Sequence, residues 1–282
     1  MDWKHLQNNA DDILASGSRK LTKSGTSGLD NLFPRHTGNY LISRENVSYV
    51  GEAKDLNNRL KQHSKERSST FFKNYQKLTA TDRTISKSLN ISDFEVQTIS
   101  TNLGRKEMEE FCIVNIPTNL NRFQKGKRDK FSRTVNLNLW DDIQSNSEAF
   151  IALGQKQLDD TKSTKWFEAT APHEPGIYWV ENPNHGLVYI GESSNVYDRW
   201  NTHSKQTYFS ALRRHIGENI LGFSLKTIKG KKKYFSDSED NNVTNFLTKS
   251  TIKILPVQFG RYELEEFLIK SHVPLLNRKG NK

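Results

Sequence analysis

A single cysteine, Cys112, stands among 282 residues, so no disulfide can close within the chain and no zinc site built on several thiolates is available. Any catalytic metal must therefore take oxygen or imidazole ligands. No apolar run approaches the roughly 20 residues that span a bilayer. The first residues, Met1 to Asn9, lack the apolar stretch and small-residue cleavage site of a secretory signal, and the expectation is a soluble chain that stays in the cytoplasm. Positive charge is what the sequence has in excess: 42 Lys and Arg against 32 Asp and Glu give a net +10. A polyanion suits such a chain, because each phosphate met by Lys or Arg releases condensed counterions. Charge alone is equally compatible with a solvated basic surface.

The sequence also repeats itself. Tyr49-Val50-Gly51-Glu52 returns as Tyr189-Ile190-Gly191-Glu192, an offset of 140 positions. Arg59 and Arg199 keep that offset, as do His63-Ser64-Lys65 and His203-Ser204-Lys205. Gly104 to Phe111 then aligns with Gly260 to Phe267, and Leu120-Asn121-Arg122 with Leu276-Asn277-Arg278, both offset by 156. Order is kept and the offset grows only between blocks, which is the signature of a duplication.

Local patterns place the repeated residues. Gly176 to Val180 is β-branched and aromatic, and turn material from Asn182 to Gly186 separates it from Leu187 to Ile190, which predicts a β-hairpin. Asn195 and Asp55 are suited to cap helices on which Arg and His stand four residues apart, on one side. Phe94 to Ile99 and Thr251 to Val257 read as third strands, each leading into a helix that carries the Glu-Glu-Phe block. The fold expected is α/β (α+β): two tandem small domains, each a three-stranded, mainly antiparallel sheet flanked by helices. The boundaries expected are 1–33 as a polar, helical extension, 34–135 as the first domain, 136–171 as a helical linker and 172–282 as the second domain. Residues 231 to 245 read as an exposed, mobile insertion, and Lys125 to Arg128 as a flexible basic segment.

Gly176-Ile177-Tyr178, Tyr189-Ile190-Gly191, Arg199, Glu265 and Asn277, in that order, resemble the GIY-YIG nuclease superfamily. Gly38-Asn39-Tyr40, Tyr49-Val50-Gly51, Arg59, Glu109 and Asn121 repeat the pattern, departing from it at Asn39 and in a shorter hairpin. The helical histidines, His63 and His203, resemble the restriction-endonuclease branch. The resemblance implies hydrolysis of DNA phosphodiesters. Glu109 and Glu265 would each hold one Mg²⁺ or Mn²⁺, hard ions suited to carboxylate oxygen. Tyr40 and Tyr178 would accept the proton of the attacking water, with Arg59 and Arg199 clamping the phosphate. Tyr49 and Tyr189 would bond the phosphate or orient water, His63 and His203 would contact phosphate or share the proton, and Asn121 and Asn277 would fix the geometry or serve a structural turn. Gly51 and Gly191 read as backbone necessities.

Candidate DNA contacts are Lys65, Lys125, Lys127, Arg128, Lys205, Lys231, Lys232 and Lys233. Two such sites on one chain imply a double-strand endonuclease of the restriction or phage-defence type, acting as a monomer with two sites or as a homodimer, with a cognate methyltransferase or defence protein as a candidate partner. The alternatives are a repair or structure-selective nuclease, a nucleic-acid-binding protein with one or both units inactive, and an interaction scaffold.

Overall fold

The computed structural model describes residues 2–65, 69–85, 90–121, 128–205, 207–228 and 230–277. The chain divides into two compact units, one of Lys4–Glu148 and the other of Ala149–Lys282 with Met1–Trp3.

Through the first unit run α1 (Trp3–Asn8), α2 (Ala10–Lys23), β1 (Ser27–Gly28), β2 (Gly38–Arg44), β3 (Val47–Ala53), α3 (Leu56–Lys65), α4 (Thr70–Thr81), β4 (Glu95–Ser100), α5 (Arg105–Asn115) and α6 (Leu139–Ser145). Its sheet is antiparallel in the order β1-β4-β2-β3. The three strands expected are present, and the two-residue β1 extends the sheet beyond β4. Strand β2 is central and buried from Gly38 to Ile42, because helices cover both of its faces. On one face Tyr40, Ile42, Tyr49 and Val96 pack with Leu56 and Leu60 of α3 and with Phe71 and Tyr75 of α4. Each such apolar side chain, fully buried, contributes about 1.5–3 kcal/mol. On the other face lie α2 and α5. Helix α2 is amphipathic, burying Ile13, Leu14 and Leu21, with Asp11 and Asp12 in its first turn and Lys20 and Lys23 in its last, as the helix dipole favours.

The second unit carries α7 (Ser147–Asp159), β5 (Thr164–Lys165), β6 (Gly176–Asn182), β7 (Gly186–Ser193), α8 (Val196–Lys205), α9 (Ala211–His215), β8 (Lys226–Ile228), β9 (Lys231–Tyr234), α10 (Asp237–Thr248), β10 (Thr251–Pro256) and α11 (Arg261–His272). The sheet order β5-β10-β6-β7 repeats that of the first unit, with β6 central and β7 at the edge. Gly186, at φ +64°, closes the longer hairpin. As the sequence suggested, Asn195 Oδ1 accepts from Asp198 N at 3.0 Å at the start of α8, and Asp55 Oδ1 from Asn58 N at 2.8 Å at the start of α3.

The expectation of a mobile insertion at 231 to 245 is overturned. Strand β9 pairs with β8, and α10 is a regular helix. A capping box joins Ser236 and Glu239, acidic residues fill the first turn, and Val243, Phe246 and Leu247 bury one face. The run of charge masked a start signal and an i, i+3, i+4 stripe.

Candidate active site

The site begins with what the hairpin strands place opposite each other. Tyr40 pairs with Gly51 across β2 and β3, and Tyr178 with Gly191 across β6 and β7. Opposed residues project to the same face, so a Cβ on Gly51 would overlap the Tyr40 phenol, and one on Gly191 the Tyr178 phenol. The absent side chain is what lets the tyrosine ring lie across the neighbouring strand. Gly191→Ala is therefore expected to displace Tyr178 at a cost of about 1–3 kcal/mol. A melting temperature and an activity both equal to those of the parent would show that the ring does not need this space.

Helices α3 and α8 bring His and Arg to these tyrosines. The Tyr40 hydroxyl lies 2.7 Å from His63 Nε2, and that of Tyr178 lies 3.0 Å from His203 Nε2. Both histidines are buried and pushed down to about 3, by burial first and then by the neighbouring Arg59 or Arg199, so each imidazole is neutral. His203 Nδ1 is 2.7 Å from Ser210 Oγ, which caps α9, whereas His63 Nδ1 has no partner among the described residues. Burial raises Tyr40 and Tyr178 well above the ordinary phenol, each helped by its neighbour Tyr49 or Tyr189, while Arg59 and Arg199 oppose the shift. The rings of Tyr178 and Tyr189 stack at 6.0 Å. Arg199 is exposed and Arg59 half-buried, so both guanidinium groups are within reach of solvent.

The open edges of β3 and β7 receive the other two motif residues. Asn277 accepts from Ile190 N at 2.9 Å and donates to Ile190 O at 2.7 Å, and Asn121 does the same to Val50 at 2.9 and 2.7 Å. Each asparagine thereby satisfies one outward-facing peptide of an edge strand. Two residues along β7, Glu192 N donates to Glu265 Oε1 at 3.1 Å. Glu265 is pushed up to about 8, by burial first and by Glu192 second.

Two residue pairs beside the carboxylates were not singled out from the sequence. Arg261 Nε bonds Glu192 Oε2 at 2.7 Å, and Arg105 Nε pairs with Glu52 Oε2 at 2.8 Å, each arginine being buried. The signal was there, since all four stand inside the repeated blocks. The departure at Asn39 is absorbed by hydrogen bonds: its Nδ2 donates to Arg105 O at 2.9 Å and its Oδ1 accepts from Thr101 Oγ1 at 2.8 Å.

The two units differ at the carboxylate. Glu265 commits Oε1 to a backbone N–H, and burial with the charge of Glu192 raises it despite Arg261, so a carboxylate oxygen in this position fits one hard divalent ion. In the first unit Lys106 Nζ lies 2.6 Å from Glu109 Oε2, and a lysine charge already stands where such an ion would. Burial still raises Glu109, with Lys106 opposing the shift. Glu109 thus does not fit a metal unless Lys106 moves, and the position of Lys106 is held by Tyr262 in the second unit. Among the described residues no group of three His, Cys, Asp or Glu forms a ligand cage.

Of the proposed DNA contacts, Lys65 and Lys205 are exposed at the ends of α3 and α8. Lys125 and Lys127 lie outside the described residues, as do the side chains of Lys231 and Lys232, while Lys233 is half-buried against Tyr208. Arg128 bonds Asp11 at 3.0 Å and stands 4.0 Å from Glu110, so its charge is engaged within the unit.

Residues 161–282 match the family model of the GIY-YIG catalytic domain. No match was found among curated proteins or among solved structures. No helix of the described residues is long and apolar enough to cross a membrane.

Proposed function

We propose, for a chain whose residues 161–282 match the GIY-YIG catalytic domain, that the protein is a metal-dependent DNA endonuclease. The observation that carries this reading is the gathering of Tyr178, His203, Arg199 and Glu265 within the matched residues. Arg199, exposed beside the two phenols, clamps a phosphate. Tyr178 Oη takes the proton of the attacking water as it passes its own hydroxyl proton to Nε2 of neutral His203, 3.0 Å away. Asn277 holds the strand that bears Tyr189 and Gly191, and Arg261 fixes Glu192 beside Glu265. A divalent ion, Mg²⁺ or Mn²⁺, when bound at Glu265 supplies charge to stabilise the leaving oxygen.

Repetition of the set as Tyr40, Tyr49, Arg59, His63, Glu109 and Asn121 supports double-strand cleavage of the restriction or phage-defence kind, two sites serving two strands. One observation favours a second reading. The Lys106 to Glu109 pair satisfies the first carboxylate internally, which suits a unit that grips DNA without cutting it.

Supercoiled plasmid with Mg²⁺ separates the two readings. If both units cut, the intact chain linearises plasmid, and Glu109→Ala and Glu265→Ala each only nick it. If the first unit only grips, the intact chain and Glu109→Ala nick alike and Glu265→Ala is silent. In that case Lys106→Tyr, which supplies the residue found in the second unit, is expected to turn nicking into linearisation.

A further inference from the structure

The loop that follows the catalytic helix α8 is pinned from inside and aromatic outside. Arg213, fully buried, donates from Nε to Thr207 Oγ1 at 3.0 Å, from Nη1 to His203 O at 3.3 Å and from Nη2 to Asp240 O at 2.9 Å. Arg214 donates to Tyr208 O at 2.7 Å, and Ser210 is the residue bonded to His203. The backbone that carries Tyr208 and Phe209 is thereby fixed to the same histidine that holds Tyr178. Outward, the ring of Tyr208 meets Phe209 edge-on at 4.5 Å and Tyr234 of β9 at 5.1 Å, with 30° between the latter planes. Lys233 Nζ stands 5.1 Å over the Tyr208 ring. Phe209 is 63% exposed, an unusual position for so large an apolar side chain. These rings border an open cleft of about 540 Å³, with Asp237 on its rim.

We propose that this cleft is a subsite for an unpaired nucleobase of the DNA that the second unit cuts, stacked on the exposed Phe209 and bordered by Tyr234, with Tyr208 backing the platform. The inference rests on the nuclease reading. A base offers a flat π-face to aromatic rings, and stacking of this kind tolerates any of the four bases. Lys233 supplies charge for the phosphate on the same nucleotide. The carboxylate of Asp237 is an acceptor suited to an exocyclic amine. A rigid platform loses little entropy on binding, and here the rigidity comes from Arg213 and Arg214. The substrate implied is DNA with a single-stranded or distorted stretch beside the cut, which a fully paired duplex supplies only by flipping a base out.

The test is equilibrium binding by the full-length protein in EDTA, read by fluorescence anisotropy. The ligands are a single-stranded oligonucleotide, the same oligonucleotide made abasic, and a fully paired duplex. Phe209→Ala and Tyr234→Ala are expected to weaken single-strand binding by about tenfold each while leaving duplex binding within about twofold, and Phe209→Trp to restore it. The abasic strand should bind the parent protein as weakly as the intact strand binds the alanine variants. Equal binding of the intact and abasic strands, or alanine variants that match the parent on single strands, overturns the subsite and leaves the nuclease reading standing. A parent protein that binds none of the three ligands and cuts nothing overturns both. Because Phe209 is exposed, its removal leaves the fold intact, and an unchanged melting temperature confirms that the loss is one of contact.

Discussion

Glu265→Gln is expected to end divalent-ion binding at the second unit and to lower its cutting by at least about 10²–10³-fold, since a neutral amide of the same shape cannot balance a cation. The fold should survive, because the amide oxygen can still accept from Glu192 N. Direct Mn²⁺ titration gives a readout independent of activity: one binding event fewer in the Gln variant than in the parent. Proton linkage gives another. Glu265 sits near 8 rather than at its ordinary 4.5, so in the metal-free protein its protonated form stabilises the fold. That contribution is complete below 4.5 and is lost as pH rises through 8. The metal-free parent should thus lose stability across this window relative to the Gln variant, while ion binding, which displaces the proton, tightens. Equal Mn²⁺ stoichiometry in the two proteins would remove Glu265 from the metal's ligands.

Tyr178→Phe should be comparably damaging. The phenylalanine ring still fits over Gly191, so packing is preserved, but His203 Nε2 loses its 3.0 Å partner and the proton acceptor is gone. A fall of about 10²–10⁴-fold in cleavage is expected, with Mn²⁺ binding unaltered. Leaving the buried His203 Nε2 without its partner costs about 1–3 kcal/mol, so the melting temperature falls by a few degrees while the fold holds. A Phe variant that cuts at the parental rate would reduce Tyr178 to a packing residue. Because burial keeps the phenol protonated at rest, it can accept the water proton only as its own proton moves to His203 Nε2.

Much of this site was legible because its parts are short-range or repeated. An Arg and a His four residues apart on a capped helix must share a side, and the hairpin was visible in its strand and turn residues. What the sequence hid was long-range pairing. Arg261 and Glu192 meet across 69 positions, a separation with no period to betray it. The open choice between a geometric and a turn role for Asn277 finds its physical basis in an edge strand, whose unpaired peptide only the assembled sheet reveals. Nothing in the sequence marked Lys106, whose ammonium lies on the buried Glu109 carboxylate. The misread stretch from 231 to 245 teaches a narrower lesson: dense charge obscured the Ser236 to Glu239 capping box, which was visible in the letters.

The asparagine bonds also bear on the order in which the second unit assembles. Hairpin contacts between β6 and β7 join near neighbours and can form early, but Asn277 reaches Ile190 across 87 positions. Contacts of that separation close late, after the entropy of a long loop has been overcome. The strand that bears Tyr189 and Gly191 is thus drawn first and fastened last. Because the fastening spans most of the unit, the strand cannot loosen on its own while the rest holds, and cutting competence should disappear in one step with the fold rather than fade ahead of it.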